Sequence, residues 1–373
     1  MRVDTLSTTQ FRNLNHPVLS FSPGVNLLTG ENGQGKTNLL EAVFFFKFGR
    51  SFRTRQDAEI ISFEEEFCRA EVSCVFDDGH REEFDAALGR DGVKRVKITG
   101  KEVEKLSDLV GRYPIVLFGP QDIRLVTGQP GDRRRFIDMV GSMTDPVHIS
   151  LLKDYRRILN QRNAALRARA SRAERDAWNK ELVEKGCALI AKRIALTKVL
   201  GRHSIEHAEH LDAPFEFSLS YESAIVRESL AAGGGATAEQ VGLQSVFEMK
   251  LLSLEAEELR RGTTLAGPHR DDLSIRMAGK EVRKYGSQGQ RRLLAVLLKL
   301  AELSYLETEL REPCVLLLDD VFSEFDLDIT AKLQGLLAGN RQVLVTSPVP
   351  LDWAAAQDVR VFTVQNGEVS AVA

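Results

Sequence analysis

Three short motifs in this chain have the residue types and spacing that phosphate chemistry needs. The first is Gly30-Glu31-Asn32-Gly33-Gln34-Gly35-Lys36-Thr37, the pattern G-x-x-x-x-G-K-[ST]. Between a strand and a helix, such a loop wraps phosphate oxygens with its backbone N–H groups. Gly30, Gly33 and Gly35 let the backbone turn and approach closely. Lys36 is expected on the β- and γ-phosphates, and the Thr37 hydroxyl on Mg²⁺. Asn32 and Asn38 complete the candidate nucleotide contacts of this segment. The second motif is the acid pair Asp319-Asp320, which ends the apolar run Val315-Leu316-Leu317-Leu318. Asp319 is the candidate for holding Mg²⁺, directly or through water, and Asp320 for orienting the attacking water. The third is Ser287-Gln288-Gly289-Gln290, placed just before a long stretch free of Gly and Pro.

These residues need particular elements under them. Val25-Asn26-Leu27-Leu28 reads as a short buried strand, and the segment from Asn38 as a helix whose N-terminal dipole favours an anion. Four apolar residues before Asp319 predict a central parallel strand, buried on both faces. Its acids then emerge at the C-terminal edge, where such sheets bind ligands. Ser287 opens a helix over about 290–303. This order of motifs resembles the ABC-type ATPases. In that class the signature Ser and Gly meet the γ-phosphate bound to a second subunit. Ser323-Glu324-Phe325-Asp326 matches the class's D-loop, and Gln121 lies where its Q-loop is expected, as a further Mg²⁺ ligand.

Composition sets bounds. A chain of 373 residues has room for two domains, and 43% hydrophobic content is ordinary for a globular protein. A net charge of −3 argues against a uniformly basic nucleic-acid binder, so DNA contact would need a local patch. Cys68, Cys74, Cys187 and Cys314 form no C-x-x-C pair, which argues against a zinc site or a disulfide framework. The first residues do not read as a signal peptide, and no apolar run approaches the roughly 18 residues of a membrane span. A cytoplasmic protein with no membrane partner is expected.

Along the chain, residues 1–50 read as strand, strand, phosphate loop, helix. Residues 67–76 and 81–88 read as strands across a turn at Asp77-Asp78-Gly79-His80, extended by residues 93–99. Residues 103–111 read as a helix. The expected fold is α/β: a P-loop ATPase head over 1–125 and 262–373, with a β-rich subdomain at about 55–105. A helical arm domain is inserted over 126–261. In the arm, Leu151, Leu152, Tyr155, Ile158 and Leu159 form one stripe, and Val183, Cys187, Ile190 and Ile194 another. They predict two long antiparallel helices turning near residues 171–176. A loop at Gly233-Gly234-Gly235 and a helix from Thr237 to about Arg261, started by a Thr237/Gln240 capping pair, follow.

The first arm helix is basic. Arg156, Arg157, Arg162, Arg167 and Arg169, with Arg133-Arg134-Arg135 upstream, are candidate contacts to a duplex backbone. A solvated helix face is the ordinary alternative. No aromatic residues are interleaved, which disfavours base stacking on single strands.

Several segments together resemble the RecF family of bacterial recombination and replication-gap repair proteins. They are Phe11-Arg12-Asn13-Leu14, the phosphate loop, and Pro130-Gly131-Asp132-Arg133-Arg134-Arg135-Phe136-Ile137-Asp138. Gln161-Arg162-Asn163-Ala164-Ala165-Leu166, Gly267-Pro268-His269-Arg270-Asp271-Asp272, the Ser287 motif and residues 317–326 complete the set. The resemblance spans nearly the whole chain. It implies an SMC-like head without long coiled coils, and an ATP-dependent homodimer that binds single- and double-stranded DNA, above all gapped duplex. It also implies work with RecO and RecR to load RecA, and slow, DNA-stimulated ATP hydrolysis. Phe11, Arg12 and Asn13 are candidates either to contact the adenine of the nucleotide or to shape a strand turn.

The chain departs from the ABC pattern in three places. Its signature is Ser-Gln-Gly-Gln, its second acid is Asp320 where many relatives of that class have Glu, and Thr346-Ser347 replaces the usual switch His. Thr346 is a candidate bond to a phosphate oxygen or the attacking water. His269 is a titratable group that either approaches the nucleotide or serves as a structural hydrogen-bonder. Competing readings are a transporter ATPase subunit, a short SMC-like chromosome organiser and a P-loop small-molecule kinase. The long spacing between loop and signature opposes the first. The short helical insertion opposes the second, and the D-loop pattern opposes the third.

Overall fold

The computed structural model describes residues 1–54, 56–231, 240–349, 351–353 and 358–372. The chain divides into two compact units. The first is Met1–Asp122, Glu209–Asp212 and Glu302–Ala373; the second is Ile123–Ala208 and Ala213–Ala301.

The first unit holds two six-stranded sheets. In the central sheet the order is Glu368–Ala371, Val359–Gln365, Val25–Thr29, Val343–Ser347, Val315–Asp319, Ile115–Phe118. All neighbours are parallel except the Glu368–Ala371 edge strand. The apolar runs explain the burial: Ile115–Phe118, Val315–Asp319 and Val343–Ser347 are buried at every position. Register places Asp319 beside Thr346 and Thr346 beside Leu28, so one row at the strands' C-terminal edge leads into the phosphate loop.

The second sheet runs Leu14–Ser20, Arg2–Phe11, Phe67–Val75, Arg81–Gly89, Lys94–Ile98, Lys101–Glu102, antiparallel throughout. Phe67–Val75 and Arg81–Gly89 alternate buried with more exposed positions, as a sheet with one wet face requires. The helix Lys36–Phe48 buries Phe44, Phe45, Phe46 and Phe48. Phe46 meets Phe84 of the antiparallel sheet edge-on, with ring centroids 5.6 Å apart. Three strands precede the phosphate loop, one more than the sequence suggested. Residues 103–111 are not a helix. Lys101–Glu102 pairs back on Lys94–Ile98, and only a 3₁₀ turn at Leu106–Leu109 follows before Gly111 turns left-handed.

The second unit combines the helices Pro130–Thr144, Pro146–Arg167, Arg172–His210 as far as Ala208, Ala224–Ala231 and Gln240–Arg261 with a three-stranded sheet. Both stripes read from the sequence lie in its core, where Tyr155, Ile158, Val183, Cys187 and Ile190 pack with Phe247 and Leu251. The two long helices turn at residues 168–171. There Arg169 is left-handed, and the Ser171 hydroxyl accepts the Glu174 N–H at 3.2 Å and starts the second helix. The expected boundary at residue 262 falls elsewhere: Asp272–Met277 pairs with Ser218–Glu222, which ties residues up to 301 to this unit. On the other side the unit starts at Ile123 rather than at 126. The loop at residues 233–235 and the start at Thr237 lie outside the described residues. The four cysteines are free and buried. No helix among the described residues is long and apolar enough to cross a membrane.

Candidate nucleotide-binding site

The loop at residues 30–37 is shaped by two glycines with no room for a side chain. Gly30 has φ 147°, and a Cβ there would stand 2.3 Å from the Val364 carbonyl oxygen. Gly35 has φ 113°, and its Cβ would stand 2.8 Å from Asn13 Oδ1. Gly33 is also left-handed and faces open space, next to the exposed Asn32. The Gly367 N–H donates to the Gln34 carbonyl at 2.8 Å and the Asn366 N–H to Gln34 Oε1 at 2.6 Å, so the C-terminal hairpin braces the loop from outside.

Lys36 is 7% exposed, and its ammonium donates to the carbonyls of Gly30 at 2.5 Å and Glu31 at 2.8 Å. Burial lowers its pKa, against the raising fields of Asp320 and Asp319. The Thr37 hydroxyl donates to Asp319 Oδ1 at 2.7 Å. Burial raises the Asp319 pKa, opposed by the bonds from Thr37 and Thr346. A buried cation whose bonds end on dipoles, beside a hydroxyl and a buried carboxylate, is a donor set suited to a phosphate and a hard divalent cation. The residues present therefore fit Mg–ATP.

Thr346 is 2% exposed. Its hydroxyl donates to Asp319 Oδ1 at 2.9 Å and accepts the Asp320 N–H at 3.0 Å. Asp320 has φ 52°, an uncommon conformation for a residue with a side chain. Gln121 lies three residues beyond the Ile115–Phe118 strand, on the same sheet edge, with its amide against Gly119.

Arg12 and Asn13 stitch the first strand turn to the loop. Arg12 grips Glu41 through Nε at 2.9 Å and Nη2 at 2.8 Å, while Asn13 donates to the Gln34 carbonyl at 3.2 Å and accepts from Asn38 at 2.7 Å. Glu41 is wholly buried, takes the Ser51 hydroxyl as well, and lies 3.5 Å from Arg53, whose Nη1 also reaches Asn38 Oδ1 at 2.5 Å. Sequence reading missed Glu41 and Arg53. The available signal was Glu41, the one carboxylate of the helix, a turn beyond Thr37 and set within the apolar run Leu39–Phe46.

The Ser287 motif belongs to the second unit. The Ser287 N–H donates to Gln290 Oε1 at 2.8 Å and the Gln290 N–H to Ser287 Oγ at 3.2 Å, a reciprocal cap on the helix Gln288–Leu310. Ser287, Gln288 and Gly289 are exposed, and nothing lies within 4 Å of a Cβ built at Gly289.

The basic candidates separate. Arg133 is 6% exposed and forks onto both Asp272 oxygens at 2.8 Å; Arg162 is 3% exposed and donates to Glu258 at 2.6 Å, Thr264 at 2.7 Å and Asn179 at 2.7 Å. Arg134 is half-buried on the Asp271 carbonyl at 2.5 Å. These three are corrected from DNA contacts to internal ties: their donors face carboxylates and carbonyls inside the unit. Arg135, Arg156, Arg157, Arg167 and Arg169 are exposed. His269 is enclosed between the Tyr155 hydroxyl at 2.7 Å and the Thr264 carbonyl at 3.1 Å, and burial pulls its pKa down to about 4.

A family model for the RecF/RecN/SMC N-terminal domain matches residues 2–370. A DNA replication and repair protein RecF from Halothermothrix orenii is 36% identical over 99% of each chain. The chain belongs to the RecF family. The Bacillus subtilis RecF is 35% identical over 98% of this chain and 99% of its own. A solved structure of the recombination mediator protein RecF with ATP in the RecFOR pathway superposes with TM-score 0.89, 29% identity and 100% and 97% coverage. An Smc head bound to the C-terminal winged-helix domain of ScpA, at 15% identity, shares the fold with TM-score 0.57. The RecF fold is thus an ABC-type ATPase head of the kind that SMC proteins carry.

Proposed function

We propose that the chain is an ATP-gated DNA clamp that works in recombinational repair and replication-fork maintenance. The observation that carries this reading is the Thr37–Asp319 bond at the end of a buried parallel strand. Its setting is a phosphate loop whose lysine is bonded to carbonyls. The family's ATP-bound relative supports it.

In this reading the loop amides, Lys36 and Asn38 hold the phosphates, and Arg12 and Asn13 keep the adjoining turn in place. Thr37, Asp319 and Gln121 would hold Mg²⁺, which neutralises charge developing on the β- and γ-phosphates. Asp320 orients the attacking water, and its short side chain suits slow hydrolysis. Ser287, Gln288, Gly289 and Gln290 open a helix N-terminus that would meet the γ-phosphate held by a second copy, with the Gln288 and Gly289 N–H groups beside the cap that Ser287 and Gln290 form on each other. Two copies then sandwich two ATP molecules across an isologous interface. ATP closes the dimer because those contacts need a γ-phosphate, and hydrolysis shifts the population back to monomers. Arg135, Arg156, Arg157, Arg167 and Arg169 are the remaining candidates for duplex phosphates. Gapped duplex as preferred DNA, and RecO, RecR and RecA loading as context, complete the reading; family membership and the RecFOR setting of the relative support them.

The test is solution mass by light scattering, without nucleotide, with ADP and with ATP, each with and without gapped duplex. A dimer that forms only with ATP and is reinforced by DNA supports the clamp. A monomer under every condition removes the composite site. Ser287→Arg should bind ATP as a monomer yet fail to dimerise.

A further inference from the structure

The row that joins the two acids to the late strand carries more than metal ligation. Thr346 has one hydroxyl proton, and it points to Asp319 Oδ1 at 2.9 Å, with the Leu318 carbonyl at 3.4 Å. One lone pair accepts the Asp320 N–H at 3.0 Å. The hydroxyl is therefore spoken for on both sides and has no proton to offer a phosphate. Asp320 is left-handed at φ 52°, and the Ser323 hydroxyl holds its carbonyl at 3.0 Å. A left-handed backbone persists only where surrounding bonds over-determine it, and such outliers cluster where geometry serves chemistry.

We propose that Thr346 is a positioning residue that locks Asp320 in its left-handed backbone. The inference rests on the reading of Asp320 as the residue that orients water. It also bears on the identity of the second acid: Asp and Asn are enriched in the left-handed region, because a short polar side chain can hydrogen-bond locally. Asp320 is thus the acid that this backbone favours, and the switch His that the ABC pattern expects is replaced by an internal clamp.

The test uses the full chain with Mg–ATP and gapped duplex, and two readouts. Hydrogen exchange of the peptide spanning Asp320 reports the amide bond directly, without nucleotide. Thr346→Val should speed that amide's exchange by about tenfold or more. It should lower kcat by about tenfold or more and leave the ATP Kd within about twofold. Thr346→Ser, which keeps the hydroxyl, should recover most of both. Asp320→Glu should turn over more slowly than the parent, although it restores the acid usual in the class. Unchanged exchange in Thr346→Val, or equal damage from Val and Ser, overturns the proposal, as does an Asp320→Glu chain faster than its parent. Wild-type turnover by Asp320→Asn would instead overturn the role given to Asp320 itself, while the exchange result still decides whether Thr346 holds the backbone.

Discussion

The phosphate loop and the interior of the helical unit both bury cations, and they treat them oppositely. Arg133, Arg162 and Arg193 each meet a carboxylate: Asp272, Glu258 and Asp138, all at 2.6–2.8 Å. Lys36 is buried to a similar degree, yet its hydrogen bonds go only to the carbonyls of its own loop. A buried charge with a matched partner is part of the scaffold. One hydrogen-bonded only to carbonyls, with Asp319 and Asp320 acting on it from further off, can turn its donors to an anionic ligand.

Removing the cation should therefore hurt the fold in one region and the ligand in the other. The largest effect is expected for Arg162→Met, which strands the buried Glu258 and should cost about 3–5 kcal/mol, read as a lower midpoint in urea. Lys36→Met should leave that midpoint within about 1 kcal/mol and weaken ATP binding by about a hundredfold, measured by calorimetry. A fold loss in Lys36→Met equal to that in Arg162→Met would erase the contrast.

Acid sharpens it further. His269 takes a proton in the unfolded chain at about 6.5 but in the fold only at about 4, so acidification through that window destabilises. Asp271, raised by burial to about 6 from 3.8, works the other way: the fold keeps a proton that the unfolded chain loses. The two nearly cancel between about pH 4 and 6. Asp271→Asn leaves His269 alone and should steepen the acid loss by up to about 3 kcal/mol, followed by thermal melts from pH 7 to 4. An unchanged slope would mean that these groups do not govern the unit's acid stability. The smallest effect is expected for Gln290→Ala, which opens the Ser287 cap. It should cost about 0.5–1 kcal/mol and raise the ATP concentration needed for dimers.

What the sequence made legible was local. The loop glycines, Lys36 and Thr37 stand within eight residues, and the strand before Asp319 declares itself by an unbroken apolar run. The Phe67–Val75 and Arg81–Gly89 hairpin shows through alternation and its Asp-Gly turn. What it hid depends on distant partners. Arg162 is indistinguishable from Arg157 in the sequence, and only Glu258, 96 residues on, draws it inside. Arg133 is taken up by Asp272 across 139 residues. The left-handed turn at Asp320 has no glycine to announce it. Where a helix was expected over 103–111, the chain follows the short Lys101–Glu102 pairing with only a 3₁₀ turn at Leu106–Leu109.

The register row has a temporal meaning. Thr37 and Asp319 are separated by 282 positions, and the phosphate loop's own strand gains its two neighbours only from Val343–Ser347 and Val359–Gln365. On a ribosome adding about 5–20 residues per second, the loop emerges roughly a quarter of a minute to a minute before its acid. Until then it hangs from an unpaired strand, and nucleotide has nothing assembled to grip. Nucleotide can therefore favour folding only once residues 343–365 have been made, and a chain stopped before Val343 should leave the ribosome unable to form the site at all.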